Sequence, residues 1–287
     1  DAVTSYYTGA NASTADFLRF VCETAKANDP DCYLVGEAWT DEATILTLYE
    51  SGIDSLFNFP ASDSTGRFVK AALAGKSSTV SAAQADWNAR IRAVSPASVD
   101  APFVSNHDMA RARGMLRSKV PNEKAAALLY LLMPGVPTVY YGEELGMSGS
   151  GSDENKRLPM VWSSDAATPA AADQAQRLTD GVAEQDSDPD SLLNWYRQLI
   201  ALRNLAPELT RGEMTALDGG NDAICAYTVT DAGSTVAIIS NVSQKDTLTV
   251  SLDVLRGAEL LGGIGGAAFA DGTANLPPLS GMIVRLP

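Results

Sequence analysis

The segment FVSNHD, Phe103–Asp108, places four polar side chains directly after an apolar pair. Asn106 and Asp108 flank His107, which is the one histidine of the chain. A second apolar run, CYLVGEAW, residues 32–39, reaches Glu37 in the same way. Buried strands that end in ionisable side chains are typical of sites at the carboxyl ends of parallel strands. The two segments together predict carboxylate chemistry at neighbouring strand ends.

Each of these residues also has a structural interpretation. A glutamate such as Glu37 can be a solvated residue at the end of a strand, and Asp108 can cap a following helix. His107 can serve as a structural hydrogen-bond donor. Glu143 and Glu144 are interpreted as a charge pair in a loop or at a helix start. The catalytic interpretation therefore depends on the motifs occurring together along the chain.

The elements that would position these residues alternate between helices and strands. Helical spacing predicts helices at about 13–27, 41–50, 63–74, 81–94 and 123–133, the last capped by Asn122. Apolar runs predict strands at 33–35, 55–59, 103–105 and 136–140. Such alternation predicts parallel β/α units, because parallel strands need helical crossovers. A polar excursion follows at 146–190, and Ser191 then caps a further helix.

The period changes near residue 211. Short strands are predicted at 224–229, 235–240, 247–252 and 283–286, separated by Gly, Asn and Asp turns. The GGIGG run at 262–266 is interpreted as a turn cluster, because it lacks the strand-to-helix setting and the lysine of a phosphate loop. These patterns predict two domains, an α/β part over residues 1–208 and an all-β part over 209–287.

Composition narrows the function classes. The 287 residues carry a net charge of −14, which argues against nucleic acid and anionic membranes as partners. No apolar run is long enough to span a bilayer. One histidine and three cysteines without a CxxC pattern argue against a zinc site. Cys22 and Cys32 could form a local disulfide or remain two unpaired thiols, and Cys225 is expected to be a core residue.

Several segments, in this order, resemble the α-amylase family of retaining glycoside hydrolases, the (β/α)8-barrel clan. CYLVGEAW resembles the family's fifth barrel strand, FVSNHD the seventh, and GVPTVYYGEELGM, residues 135–147, the eighth with its loop. RLPMVW, residues 157–162, and the helix beginning DPDSLLNWYR resemble the segments that close the barrel. The all-β tail resembles the family's C-terminal domain. The resemblance covers nearly the whole chain.

The resemblance implies a retaining hydrolase of α-glucosidic bonds in starch-type oligo- or polysaccharides. Asp1 would be the nucleophile, Glu37 the general acid/base and Asp108 a third carboxylate that grips the substrate. The implied substrate-binding residues are polar groups and aromatic rim or stacking groups: Asn106, His107, Trp39, Tyr7 and Tyr141. The resemblance makes no cofactor certain, and calcium stays open because many family members bind it. Thr4 and Ser5 replace a Lys-His pair of starch α-amylases, which argues against strict specificity for long starch chains.

The resemblance also implies an incomplete barrel. The first residues, DAVTSYYTG, resemble the nucleophile segment at the end of the fourth strand. We therefore expect parallel β/α units of the second half of a TIM-type barrel, followed by a small all-β sandwich. The expected partners are an α-glucan or α-glucoside substrate and a missing N-terminal half-barrel, or self-association in its place. The cellular location is not indicated.

Two other functions stay open at the level of the sequence. The chain could be an incomplete, non-catalytic amylase-like fragment or a carbohydrate-binding module. A related transglycosylase or sucrose-cleaving enzyme would use the same three carboxylates. The loops that bind the acceptor decide between hydrolysis and transfer, and many of them belong to the absent half.

Overall fold

The computed structural model describes residues 1–6, 11–165 and 180–287. The described α-helices are α1 (Asn11–Asn28), α2 (Glu42–Tyr49), α3 (Arg67–Ala74), α4 (Ser78–Val94), α5 (Ala112–Met115), α6 (Val120–Leu132), α7 (Asp153–Lys156), α8 (Val182–Ser187), α9 (Leu192–Arg203) and α10 (Glu208–Arg211). The strands are β1 (Val35–Gly36), β2 (Ser55–Phe57), β3 (Val99–Ala101), β4 (Glu213–Leu217), β5 (Ile224–Asp231), β6 (Ser234–Asn241), β7 (Leu248–Ser251), β8 (Glu259–Ile264), β9 (Ala268–Ala270), β10 (Thr273–Leu276) and β11 (Ser280–Arg285).

The first sheet is parallel, with the strand order β1-β2-β3. An extended segment at 136–140 continues it beside β3, because Val136 N donates to Asp100 O at 2.8 Å and Thr138 N to Pro102 O at 2.9 Å. Gly135 precedes this segment with a φ of +113°, and a Cβ there would lie 2.2 Å from Asp100 O. Glycine is therefore needed for the close approach of the two backbones.

Two predicted strand positions were wrong. β3 ends before Phe103, and residues 103–105 are not in a strand. Phe103 is buried because it packs against Phe57 and Phe59, and not because it pairs within a sheet. Its apolar character therefore predicted a strand where the structure has none. The segment 136–140 makes two of the hydrogen bonds of a ladder but is not a regular strand.

Helix starts were predicted with mixed success. Ser191 caps α9 as expected, since its Oγ accepts a hydrogen bond from Asn194 N at 3.1 Å. The prediction that Asn122 caps α6 was wrong, because the helix begins at Val120 after the N-cap Lys119. Asn122 instead donates from its side chain to Leu116 O at 2.9 Å, which ties the first turn of α6 to the preceding loop.

The C-terminal part contains two antiparallel sheets, β4-β5-β6-β11-β8 and β7-β10-β9. Both faces of β5 are buried, because Ile224 and Ala226 join the core between the sheets whereas Cys225 and Tyr227 join the core shared with the helices. The assignment of GGIGG to a turn was wrong for its first half. Residues 262–264 belong to β8, and a Cβ on Gly262 would lie 2.8 Å from Leu205 Cδ1.

The two parts share one hydrophobic core, which joins α3, α6 and α9 to β5, β6 and β11. Tyr227 Oη donates to Leu132 O at 2.7 Å across this junction. Arg203 donates to four carbonyl oxygens at the end of α6, in the turn that follows α6 and in α10: Leu131, Met133, Gly135 and Leu209. Burial lowers the pKa of Arg203 to about 10. The junction is consequently a packed, hydrogen-bonded interior.

All three cysteines are free thiols, so of the two alternatives left open for Cys22 and Cys32 the structure has the unpaired thiols and not the disulfide. Cys22 packs in the core formed by α1, α2 and α4, and burial raises the pKa of its thiol. Burial raises the pKa of Cys225 to about 12, consistent with a core residue. Among the helices of the described residues, none has the length and apolarity needed to cross a membrane.

Candidate active site

An open cavity of about 420 Å³ lies at the carboxyl ends of the parallel strands. Its polar lining includes Asp1, Glu37, Asn106 and His107, four of the residues singled out in the sequence. Apolar and hydroxyl side chains complete the wall: Val35, Phe57, Phe103, Ser105, Thr138, Val139 and Tyr140. The fold thus brings one glutamate, one aspartate and one histidine to a single concave surface.

Glu37 connects the first residues of the chain to the end of β1. Its Oε2 accepts a hydrogen bond from Ala2 N at 3.2 Å, and its carbonyl oxygen accepts one from Val3 N at 2.9 Å. Val3 is buried in the core of α1 and α2, which anchors this contact. Asp1 is exposed and enters the cavity beside Glu37.

A turn after residue 105 presents His107 to solvent. Asn106 Oδ1 accepts hydrogen bonds from Asp108 N at 2.9 Å and Met109 N at 3.1 Å. Asparagine side chains stabilise such turns by bonding the backbone two residues on. The His107 side chain is consequently about half exposed, with Nε2 at 3.3 Å from Asp108 Oδ2.

Asp108 does not line the cavity itself but contacts His107, which does. Its Oδ1 accepts a hydrogen bond from Arg157 Nη2 at 2.6 Å, in an ion pair that solvent partly reaches. Arg157 Nε also donates to His107 O at 3.2 Å, and Lys156 Nζ donates to Asp108 O at 2.9 Å. The segment at 156–157 therefore holds the 107–108 turn from outside.

The aromatic candidates lie away from the cavity wall. Trp39 is half exposed and stacks on Phe59 at 5.1 Å between ring centroids. Tyr141 is partly exposed, and its Oη donates to Leu158 O at 2.6 Å. Tyr7 lies outside the described residues. Neither Trp39 nor Tyr141 is among the residues that line the cavity.

Sequence reasoning missed Tyr140 and Arg111. Tyr140 lines the cavity, and burial raises its pKa to about 12. The guanidinium of Arg111 packs over both tyrosine rings, 4.6 Å from the centroid of Tyr140 and 4.7 Å from that of Tyr141. The adjacent tyrosines at the end of an apolar run were the available signal, because one of two consecutive side chains in an extended segment must face inward.

The interpretation of Glu143 and Glu144 as a loop charge pair was wrong for Glu143. Its carboxylate is buried and accepts hydrogen bonds from three hydroxyl groups. Burial raises the pKa of Glu143 to about 7, and burial also raises that of Glu144. Neither carboxylate lines the cavity.

A calcium ion stays a prediction. Within residues 1–6, 11–165 and 180–287, no group of three or more histidine, cysteine, aspartate or glutamate side chains is arranged to hold a metal ion.

Comparison with known proteins places these features in a family. The family model described as alpha amylase, catalytic domain, matches residues 3–212. Alpha-amylase 3 of Dictyoglomus thermophilum is 28% identical over 269 residues, covering 91% of this chain and 53% of that protein. A cyclomaltodextrinase of Geobacillus thermopakistaniensis is 29% identical over 91% of this chain and 40% of its own length.

Solved structures agree with the sequence matches. Amy13B of Eubacterium rectale superposes with a TM-score of 0.91 at 33% identity, covering all of this chain and 59% of that one. The α-amylase from H. orenii superposes with a TM-score of 0.85 at 23% identity, which shows a shared fold. The chain spans about half the length of the curated relatives it matches.

Proposed function

This chain belongs to the α-amylase family of glycoside hydrolases, and from that membership we propose that it carries the catalytic carboxylates of a retaining site for α-glucosidic bonds in starch-type oligo- or polysaccharides. The observation that carries the proposal is the joint placement of Glu37, Asp1 and His107 on one open cavity at the carboxyl ends of parallel strands. The names of the relatives, α-amylase and cyclomaltodextrinase, agree with an α-glucan substrate.

The proposed architecture is the second half of a (β/α)8 barrel over residues 1–208, followed by the all-β domain over 209–287. The parallel order β1-β2-β3, continued by the extended segment 136–140, supplies four adjacent backbones. Among the described strands, β1 pairs with β2 alone and its other edge is open. An N-terminal half-barrel, or a second copy of the chain, would pair with the free edges.

The proposed chemistry needs two carboxyl groups about 5–5.5 Å apart on either side of the scissile bond. Asp1 attacks the anomeric carbon, while Glu37 gives its proton to the leaving glycosidic oxygen. Water then enters, Glu37 removes a proton from it, and the bond to Asp1 breaks with retention of configuration. Microscopic reversibility requires the same residue to act as acid and then as base.

The remaining predicted residues are assigned to substrate binding. Asp108 would accept hydrogen bonds from the sugar hydroxyls, and His107 would donate hydrogen bonds to them, as the ring flattens towards the oxocarbenium ion. Asn106 shapes the turn that carries both side chains. The exposed rings of Trp39 and Tyr141 would stack against pyranose faces at the rim, and Tyr7 is assigned the same role.

The test replaces Glu37 by Gln in the full chain. Turnover of maltotriose should fall by about 10²–10⁴-fold, the usual contribution of general acid–base catalysis. Turnover of α-glucosyl fluoride should fall much less, because fluoride leaves without a proton. The matched control is Glu23→Gln, an exposed glutamate on α1, which should leave both rates unchanged.

Each assay is run on the chain alone and on the chain mixed with the remaining segment of the Eubacterium rectale relative. Turnover in either condition supports the proposal. If both preparations bind maltotriose but neither turns it over, the chain is a carbohydrate-binding fragment and the enzymatic proposal is wrong. Equal losses with both substrates would show that Glu37 is not the acid.

A further inference from the structure

A buried carboxylate lies next to the wall of the candidate active site. Glu143 Oε1 accepts hydrogen bonds from Tyr130 Oη and Tyr196 Oη, both at 2.8 Å. Glu143 Oε2 accepts one from Ser105 Oγ at 2.9 Å. The three donors come from α6, from α9 and from the segment after β3. One side chain therefore ties two helices to that segment.

The tie to Ser105 connects this cluster with the candidate site. Ser105 lines the cavity, and the next residue, Asn106, shapes the turn that presents His107 and Asp108. The far end of that turn is held by Lys156 and Arg157. Contacts therefore hold the turn at both ends, and the contact at the buried end is the hydrogen bond from Ser105 to Glu143.

The donor arrangement depends on the protonation of Glu143. An ionised carboxylate has no hydrogen to donate and accepts from all three hydroxyls. A neutral carboxyl group must donate one hydrogen bond itself. Oε2 is the favoured site for the proton, because it has Ser105 as its one partner whereas Oε1 already accepts from two tyrosines. Ser105 Oγ must then accept a hydrogen bond from the protonated Glu143, and the hydroxyl hydrogen of Ser105 turns to another acceptor.

We propose that Glu143 is a positioning residue of the candidate active site, which holds the start of the 105–108 turn through Ser105 and changes that hold when it gains a proton. This inference rests on the proposed function for its catalytic consequence. The ionised form makes the stronger hydrogen bonds, because bonds to a charged acceptor are shorter and roughly twice as strong. The turn is therefore held more firmly when Glu143 is ionised.

The groups that face Glu143 let it titrate near neutrality. From α6 and α9 come Tyr130 and Tyr196, whose pKa values burial raises well above their ordinary range, so that both stay neutral donors. Ser105 faces it from the cavity side. The nearest charged group on its own segment is Glu144, which adds a like charge and raises the pKa of Glu143 further.

The experiment uses the one histidine of the chain as a probe. Selective ¹³C labelling of histidine gives a single ring signal, from His107, and labelling of glutamate carboxyl carbons gives a signal for Glu143 that Glu143→Gln removes. The variants are Glu143→Gln, which mimics the neutral acid, and Ser105→Ala, which keeps Glu143 but breaks its contact with the turn. Glu144→Gln is the matched control.

In the unchanged protein, the His107 signal should show a step at the midpoint of the Glu143 carboxyl signal. Glu143→Gln and Ser105→Ala should both remove this step, and Glu144→Gln should keep it. The inference is overturned if the Glu143 signal titrates without a matching step at His107, or if that step survives in Ser105→Ala.

A kinetic arm tests the catalytic consequence. At about pH 5, Glu143 is protonated in the unchanged protein and the side chain of Glu143→Gln is neutral as well, so the two proteins should have the same kcat for maltotriose. At about pH 9, the kcat of the unchanged protein should be about fivefold higher than that of Glu143→Gln. A ratio that does not vary with pH overturns the positioning role. Absence of turnover in every protein, with the NMR steps intact, contradicts the proposed function instead and leaves the link between Glu143 and the turn supported.

Discussion

Carboxylates occur in two kinds of surroundings in this molecule. Glu37 follows β1, and Asp108 lies in the turn after residue 105. Solvent partly reaches both carboxylates; a backbone amide contacts Glu37, and a guanidinium contacts Asp108. Asp100 and Glu143 are buried, and each accepts three hydrogen bonds from neutral donors. Open carboxylates keep oxygen lone pairs available for a substrate, whereas enclosed ones have used theirs to join elements. Chemistry and stability are therefore expected to separate between the two sets.

The largest effect should come from Asp100→Ala. This change leaves the side-chain N–H groups of Asn58, Gln84 and Trp87 buried without an acceptor, and each such group costs about 1–3 kcal/mol. The free energy of unfolding should fall by at least about 3 kcal/mol in urea titrations. Asp86→Ala, an exposed change on α4, the helix that carries Gln84 and Trp87, is the control and should cost under about 0.5 kcal/mol. Similar losses in the two variants would break the comparison.

The second effect concerns pH. The folded-state pKa of Glu143 is about 7, above its ordinary value of 4.5, so its contribution to stability is fully present below about pH 4.5 and is lost as the pH rises through about 7. The loss amounts to about 3 kcal/mol. Glu143→Gln should remove this part of the pH dependence when unfolding free energies are compared across that range. Parallel curves for the two proteins would contradict the assignment.

The third change, Asp108→Asn, sharpens the comparison from the open side. It should lower turnover of maltotriose by about 10²-fold, in the range found when one preorganised charge-stabilising group is lost. The unfolding free energy should change by less than about 1 kcal/mol, because the carboxylate is partly exposed. A loss of stability without a loss of turnover would place Asp108 in the structural set.

The smallest effect is expected for Arg157→Gln. The Arg157–Asp108 pair joins two side chains that are 43% and 31% exposed, and such pairs contribute at most about 1 kcal/mol. Thermal unfolding should therefore shift by only a few degrees. A much larger shift would show that the contacts of Arg157 with the 107–108 turn support the fold as well as the site.

Sequence patterns located the described helices of eight or more residues and the polar residues that follow the apolar runs, because both are local signals. Ser191 has an N-cap side chain followed by helical spacing, and it caps α9 as predicted. The parallel alternation followed from the same spacing. The strand predicted at 103–105 failed because the apolar character of Phe103 reflects packing against Phe57 and Phe59, and a sequence does not distinguish that from burial within a ladder.

Long-range partners were beyond local patterns. The acceptor role of Glu143 depends on Tyr130 and Tyr196, which lie 13 and 53 residues away. No residue near Asp108 in the sequence indicates that its ion-pair partner is Arg157, which lies 49 residues further along the chain. The free Cys22 and Cys32 show the converse, since proximity in sequence suggested a bridge that the fold does not form.

Arg203 determines where this chain could be recombined with a relative. Its guanidinium donates hydrogen bonds to the carbonyl oxygens of residues 131, 133, 135 and 209, which precede and follow it along the chain. A chimera with a crossover between α6 and α10 would take Arg203 from one parent sequence and some of its carbonyl acceptors from the other. Tyr227 extends the same constraint into β5. Recombination experiments should therefore take residues 120–231 from a single parent sequence.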